Sequence, residues 1–379
     1  MARSSRSWDE SDVRIRPNKK GSRPRTKDRP AHADAITGRV VTVDRGRYTT
    51  VVAENTADER VVIAARAREL RRTAVVAGDM VSLVGDVSGK ADTLARLVRI
   101  EERATVLRRS ADDTDPVERV VVANAEQLVI VVAAADPEPR TGFIDRALVA
   151  AYDAGIDPLL CVTKTDLKEP AGLLANYDHL DLKIITSGTV AETPAAGGPE
   201  RPADAGAESA DAGAEPAAPQ LDAAAVERLR TELAGKVSVL LGQSGVGKSR
   251  MVNALTGADR ATGGVNAVTG RGRHTSSSAL ALQLERAPAG SWIIDTPGIR
   301  SFGLAHVDPD RILQAFPDLE PGTAECNRGC RHTGDAVDCG LDSWVAAGKA
   351  GQAGEARLTS LRRLLGTGFT TTAKELGEY

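Results

Sequence analysis

Between Ile36 and Ile100 apolar and polar positions alternate in short runs, Thr37–Val43, Tyr48–Ala53, Arg60–Ala64 and Met80–Val84. Asp-Arg-Gly, Asn-Thr-Ala-Asp and Ala-Gly-Asp breakers separate them, which is the pattern of strands joined by tight turns. About five strands in so short a stretch predict a small β-barrel. The length fits an OB-like barrel best, with an SH3-like barrel as the alternative. Beyond Arg103 the period changes. Gln127–Ala134 reads as a buried strand, Gly142–Asp153 as a helix and Pro158–Val162 as a second buried strand. Strand and helix in alternation imply βαβ units around a parallel sheet. The same grammar resumes with an amphipathic helix at Leu221–Leu233 and a strand at Val237–Leu241, and continues to about Gly303. A last helix is marked by Leu358, Leu361, Leu364 and Leu365.

Two stretches lack any period. Residues 1–30 are rich in Arg, Lys, Pro, Gly and Ser, and 189–220 are almost wholly Ala, Gly, Pro, Asp and Glu. Neither has enough large apolar residues to offset the entropy of ordering, so both are expected to be disordered. The fold class expected is therefore multidomain α/β. It comprises a basic arm (1–34), an OB-like barrel (35–104), a P-loop α/β domain (105–304) interrupted by the acidic insert (189–220), and a helical tail (305–379).

Composition changes this picture little. The net charge of −3 advertises no polyanionic partner for the chain as a whole, but the arm is locally basic, with Arg3, Arg6, Arg14, Arg16, Lys19, Lys20, Arg23, Arg25, Lys27 and Arg29. The most apolar stretch, Val120–Ala135, is broken by Asn124, Glu126 and Gln127, so no membrane span is expected. The N-terminus has no apolar segment of the secretory kind, and a cytoplasmic protein is expected. Three of the four cysteines lie between 326 and 339, which suggests metal rather than disulfides.

Chemistry concentrates in four places. Gly242-Gln243-Ser244-Gly245-Val246-Gly247-Lys248-Ser249, followed by Arg250, is a complete phosphate-binding loop between an apolar strand and a helix. Its glycines free backbone N–H groups to face phosphate oxygens, Lys248 reaches the outer phosphates, and Ser249 can hold Mg²⁺. Farther on, the strand Ser291–Ile294 ends in Asp295-Thr296-Pro297-Gly298. There Asp295 suits the Mg²⁺ shell, and the Gly298 amide suits the terminal phosphate. Between them, in Gly270–Thr275, Thr275 is the candidate to complete that shell, with Ser276 its rival. Thr163-Lys164-Thr165-Asp166, after the strand Pro158–Val162, supplies base selection. The Asp166 carboxylate can accept from guanine N1–H and the exocyclic amine together, a donor pair adenine lacks, and Lys164 can lie along the ring. This argues for GTP/GDP and against an ATP-driven kinase or motor. Ser187 is a second candidate contact to the base.

The order of these parts is unusual. In ordinary GTPases the phosphate loop comes first and the base-reading loop late; here Thr163–Asp166 precedes Gly242–Ser249, which describes a circularly permuted GTPase. In that arrangement the chain runs from Gly298–Gly303 directly into the tail. There Cys326-x3-Cys330-x-His332-x6-Cys339 offers three thiolates and one imidazole, a closed tetrahedral set for one structural Zn²⁺. Cys161 reads as a small buried side chain.

Taken together, the permuted order, GQSGVGKS at 242–249, GRHT at 272–275, DTPG at 295–298 and the Cys/His cluster resemble the ribosome small-subunit-dependent GTPase A (RsgA) family. The resemblance spans roughly Thr37 to Leu365; the insert after Ser187 departs from it. It implies an OB-fold, a permuted GTPase and a zinc domain that assist late maturation of the small ribosomal subunit, bind its rRNA and leave after GTP hydrolysis. Ile299 follows the DTPG motif where many GTPases carry a water-orienting Gln. His274 is then the candidate to orient water, as the resemblance also implies, unless it is merely an exposed loop residue. The barrel's single aromatic, Tyr48, points to recognition of RNA backbone or shape rather than base stacking. The arm could follow phosphates or serve only as a solubilising tail. A nucleotide-regulated RNA-binding module, with hydrolysis inessential, is the second reading, and a monomer is expected.

Overall fold

Five strands close the first barrel: β1 (Ile36–Asp44), β2 (Arg47–Val52), β3 (Arg60–Arg66), β4 (Met80–Gly85) and β5 (Ala95–Ile100). This computed structural model describes residues 32–70, 73–109, 119–178, 180–190, 220–258, 279–296, 304 and 307–375. Strand β3 pairs with β5 in parallel, and β4 pairs with both β5 and β1, so the order 1-2-3-5-4-1 is a Greek key. That closure settles the choice in favour of the OB-like barrel. Period-two alternation fills it: Val62 and Ala64 of β3 point inward with Val40, Tyr48, Val81, Leu83 and Leu97, while Val61 and Ile63 point out. The β1 register shifts between Val40 and Thr42. Across that irregularity Val40 serves the barrel and Val41 serves the neighbouring core.

A hairpin of β6 (Val106–Arg109) and β7 (Arg119–Ala123) follows. The α/β part comprises β8 (Gln127–Ala133), α1 (Thr141–Asp153), β9 (Asp157–Thr163), α2 (Ala171–Leu174), β10 (Lys183–Ser187), the short β11 (Thr189–Val190) and β12 (Gln220–Leu221), α3 (Ala223–Leu233), β13 (Val237–Gly242), α4 (Lys248–Thr256), β14 (Leu280–Gln283) and β15 (Trp292–Asp295). The sheet runs β10-β9-β8-β13-β15-β14, all parallel except β14. As the unbroken apolar run predicts, β8 is buried on both faces. Leu128, Ile130 and Val132 meet α1, while Val129, Val131 and Ala133 join the core containing Leu229 and Leu233 of α3 and Met251 and Val252 of α4. Thr42 of β1 pairs with Leu280 of β14, so barrel and α/β sheet are one continuous surface. Trp292 of β15 reinforces the joint by donating from its indole N–H to Glu54, which also pairs with Arg39 at 2.9 Å.

The tail holds α5 (Pro309–Gln314), a 3-10 turn at Glu320–Glu325, α6 (Gly340–Ala346) and α7 (Gly354–Glu375). Leu358, Leu361, Leu364 and Leu365 are buried as their spacing predicts, in the same core as α1. One polar cluster lies in this contact. Asp145 of α1 accepts from Ser360 and Tyr177 and faces Arg357 and Arg363 of α7, and Arg357 pairs with Asp318. The arm (residues 1–31) and the insert (191–219) lie outside the described residues, but the insert's ends do not. Thr189–Val190 pairs antiparallel with Gln220–Leu221, so those three outermost positions of the expected unstructured stretch, Thr189, Val190 and Gln220, belong to a ladder. No helix among the described residues is long and apolar enough to cross a membrane.

Candidate functional site

The phosphate loop leaves the C-terminal end of β13 and enters α4 at Lys248. Gly245 and Gly247 hold φ of 85° and 88°, a left-handed backbone open to glycine at little cost. Gly242 has no room for a side chain: a Cβ there would lie 2.8 Å from the Val131 carbonyl oxygen. These three glycines therefore fix the loop's path, and with it the backbone N–H groups that precede the helix. Gln243 borders a small pocket with Val246, Pro137, Arg140 and Phe143. Ser244, Ser249 and Arg250 are exposed along the loop and the first turn of α4.

Lys248 is buried and pairs with Asp295 at 2.8 Å, while its ammonium also donates to the Thr296 carbonyl. Thr296 is fully buried, and its hydroxyl donates to the Leu240 carbonyl at 2.8 Å, tying the end of β15 to β13. The phosphate-loop lysine and the carboxylate expected at Mg²⁺ thus lie at ion-pair distance from each other, with Ser249 next in the chain. Gly298 and Ile299, and His274, Thr275 and Ser276, lie outside the described residues.

From the other side of β8, the loop after β9 reaches the same place. Thr163 is buried, and its hydroxyl donates to the Val246 carbonyl at 2.6 Å, joining the loop encoded early to the loop encoded late. Lys164 donates to the Asp136 carbonyl and stands 3.9 Å from its carboxylate. The Thr165 amide donates to the Ser187 carbonyl at 3.3 Å, which sets the loops after β9 and β10 side by side. Asp166 is exposed. Burial pushes its carboxyl up, and the Thr189 hydroxyl and amide outweigh that, leaving it below its ordinary value and ionised. Ser187 itself is buried, its hydroxyl directed to the Gly188 carbonyl at 3.4 Å. The residue that meets Asp166 is Thr189, which motif reading passes over because it begins the low-complexity stretch. Cys161, wholly buried in β9, has its thiol pushed up to about 12 by burial, which makes it unreactive.

In the tail the ligand atoms of Cys326, Cys330, His332 and Cys339 lie within 4.8 Å of one another. Bond lengths of a tetrahedral zinc site imply S···S edges of ~3.8 Å and S···N edges of ~3.6 Å. Cys326 and Cys339 sulfurs are 4.0 Å apart, and His332 Nδ1 is 3.5 Å and 3.6 Å from them. The four residues therefore fit a metal ion bound through Nδ1, and a sulfur separation of 4.0 Å is no disulfide. Burial lowers the His332 pKa against the pull of Asp310, which favours the neutral imidazole a metal needs. The Gly340 amide donates to Cys326 Sγ at 3.1 Å, supporting the thiolate as second-layer donors do.

The model of the RsgA GTPase family matches residues 100–194 and 205–305. The chain belongs to the RsgA GTPase family. Among curated proteins it is similar to "Small ribosomal subunit biogenesis GTPase RsgA" of Marinobacter nauticus, 34% identical over 285 residues, 73% of this chain and 70% of that one. It also resembles "Small ribosomal subunit biogenesis GTPase RsgA 1" of Vibrio vulnificus, 32% identical over 69% of this chain and 66% of that protein. The Pseudomonas aeruginosa RsgA is 38% identical over 56% of this chain and 55% of that one. The chain thus spans less than two thirds of the length of these last two relatives. Two crystal structures share the fold: YjeQ from Thermotoga maritima (21% identity, 88% of this chain and 99% of that one, TM-score 0.58) and YloQ, described as a circularly permuted GTPase (19%, 92% and 99%, TM-score 0.58).

Proposed function

We propose that this RsgA-family chain binds GTP, hydrolyses it with water to GDP and phosphate, and uses that cycle to assist late maturation of the small ribosomal subunit in the cytoplasm. The observation that carries the reading is the bond from Thr163 to the Val246 carbonyl. It brings the base-reading loop against the phosphate loop despite their inverted order, so one nucleotide can span both. The names of the curated relatives support the ribosomal assignment.

In this reading the amides of Gly242–Gly247 and the Lys248 ammonium hold the phosphates. Ser249, Asp295 and Thr275 would hold Mg²⁺, which would neutralise charge on the phosphates. Asp166 accepts from guanine, Lys164 flanks the ring, and Thr165 and Ser187 shape the wall beside it. On nucleotide binding Lys248 would exchange Asp295 and the Thr296 carbonyl for phosphate oxygens, leaving the Asp295 carboxylate available as a metal ligand. Gly298 contacts the terminal phosphate, and His274 orients the attacking water. Cys326, Cys330, His332 and Cys339 hold one structural Zn²⁺ that organises the tail against α1. Contacts to rRNA are with backbone and shape, aided by the basic arm, and the protein acts as a monomer.

The test compares binding of GTP, GDP and ATP, then phosphate release with and without purified small subunits. Guanine preference with release stimulated by subunits is expected. Equal binding of ATP would refute the base assignment. Guanine binding without stimulated hydrolysis would favour a nucleotide-regulated RNA-binding module, the reading Ile299 leaves open.

A further inference from the structure

Thr189 makes a contact at the base-reading loop that the motifs leave unassigned. Its amide donates to Asp166 Oδ1 at 2.8 Å, and its hydroxyl donates to Asp166 Oδ2 at 2.7 Å. One donor to each oxygen of a single carboxylate is the pattern that guanine N1–H and the exocyclic amine would present to the same group.

The surrounding backbone holds Thr189 there. In β11 it pairs with Leu221 of β12. The next residue, Asp222, donates its amide to the Gly188 carbonyl at 3.1 Å and caps α3 by accepting from the Ala224 amide at 2.9 Å. Gly188 brings the chain close to the carboxylate: a Cβ there would lie 3.3 Å from both Asp166 Oδ1 and Thr165 Oγ1. The turn from β10 into β11 therefore presses Thr189 against Asp166.

Resting on the guanine reading above, we infer that Thr189 sets nucleotide affinity and base selectivity by holding the place of the guanine donors on Asp166. A guanine nucleotide displaces it on binding and forfeits part of its binding energy in the exchange. An adenine nucleotide has no donor pair to offer and leaves Thr189 in place. Because Asp166 is exposed, water moderates the trade and its size is modest.

The test uses the full chain with Thr189→Val, which keeps the amide and the β-branched shape but removes the hydroxyl donor. Thr189→Ala is a second deletion of that donor, and Thr189→Ser retains both donors. Calorimetric titration with GDP and with ADP gives the dissociation constants. The Val and Ala variants are expected to bind GDP about three- to tenfold more tightly than the parent, a gain on the scale of one weakened hydrogen bond. Their ADP affinity should be unchanged, and the Ser variant should match the parent. GDP binding that weakens or stays the same in the Val and Ala variants would overturn the inference, and so would GDP and ADP affinities that shift together. A parent chain that does not prefer GDP to ADP refutes the guanine reading itself, a failure visible before any variant is compared.

Discussion

Replacing Arg357 by Leu should loosen α7 from the rest of the tail, where its side chain makes most of its contacts. The Arg357 side chain is 4% exposed and its partners Asp318 and Asp145 are 5% and 3% exposed. Its guanidinium donates to Asp318 at 3.1 Å and 3.4 Å, donates to the Ala315 carbonyl at 3.2 Å, stands 3.7 Å from Asp145, and lies over the Phe316 ring at 4.2 Å. A leucine fills much of the volume but leaves one buried carboxylate and one carbonyl without that donor. Breaking a buried pair by removing one partner costs about 3–5 kcal/mol. The ring contact falls within that range rather than adding to it, so about 4 kcal/mol is expected. The assay is urea unfolding followed by circular dichroism and by fluorescence, to which Trp344 contributes through its bond to the Asp318 carbonyl at 3.1 Å. The double variant Arg357→Leu/Asp318→Leu removes both charges and should recover about 2 kcal/mol or more of the loss. A single-variant cost below about 1 kcal/mol, or a double variant no more stable than the single, would refute the claim that a buried ion pair fastens α7 within the tail.

Other expectations concern the same structure. Burial raises the Asp145 carboxyl above 3.8, against the lowering pull of Ser360, Arg357, Tyr177 and Arg363. A folded value above the unfolded one means that its stabilising contribution is complete below pH 3.8 and is lost as the pH rises through the raised value. Asp145→Asn should therefore gain on the parent chain in urea melts as the pH rises above 3.8; a constant difference would contradict this. Thr163→Val leaves the Val246 carbonyl unpaired in a buried site, and should cost about 1–3 kcal/mol and at least tenfold in GDP affinity, read by calorimetry. Gly247→Ala meets only ordinary contact with Thr163, no closer than 3.8 Å, but a φ of 88°. It should lose about 1–2 kcal/mol to backbone strain and displace the loop amides, so nucleotide affinity should fall more than thermal stability does. Mass spectrometry under native conditions should find one zinc per chain. Chelation or Cys339→Ser should melt the tail while leaving the barrel and sheet signals, since Cys339 immediately precedes α6.

Elements that depend on local pattern were legible in the chain. The alternating runs of β1 to β4, the unbroken apolar run of β8, the glycines before Lys248 and the leucine spacing of α7 each declare their own burial, because the periods of two and 3.6 are properties of the backbone itself. Spacing likewise marked Cys326, Cys330, His332 and Cys339 as a candidate metal set, since so short a stretch cannot separate them far. Other features join positions distant in sequence, and no local pattern encodes such pairs. The parallel pairing of β3 with β5 decided the barrel's topology, and the pairing of Thr42 with Leu280 made one surface of two sheets. The bond from Thr163 to Val246 spans 83 positions, and the Asp145 to Ser360 contact spans 215. Thr189 is the sharpest case: its composition places it with an unstructured insert, and only the ladder with Leu221 and the close turn at Gly188 put it on Asp166. Sequence named the chemical groups because their identity is local. Tertiary structure decided their partners, because partnership is set by how strands and helices stack once their apolar faces are buried.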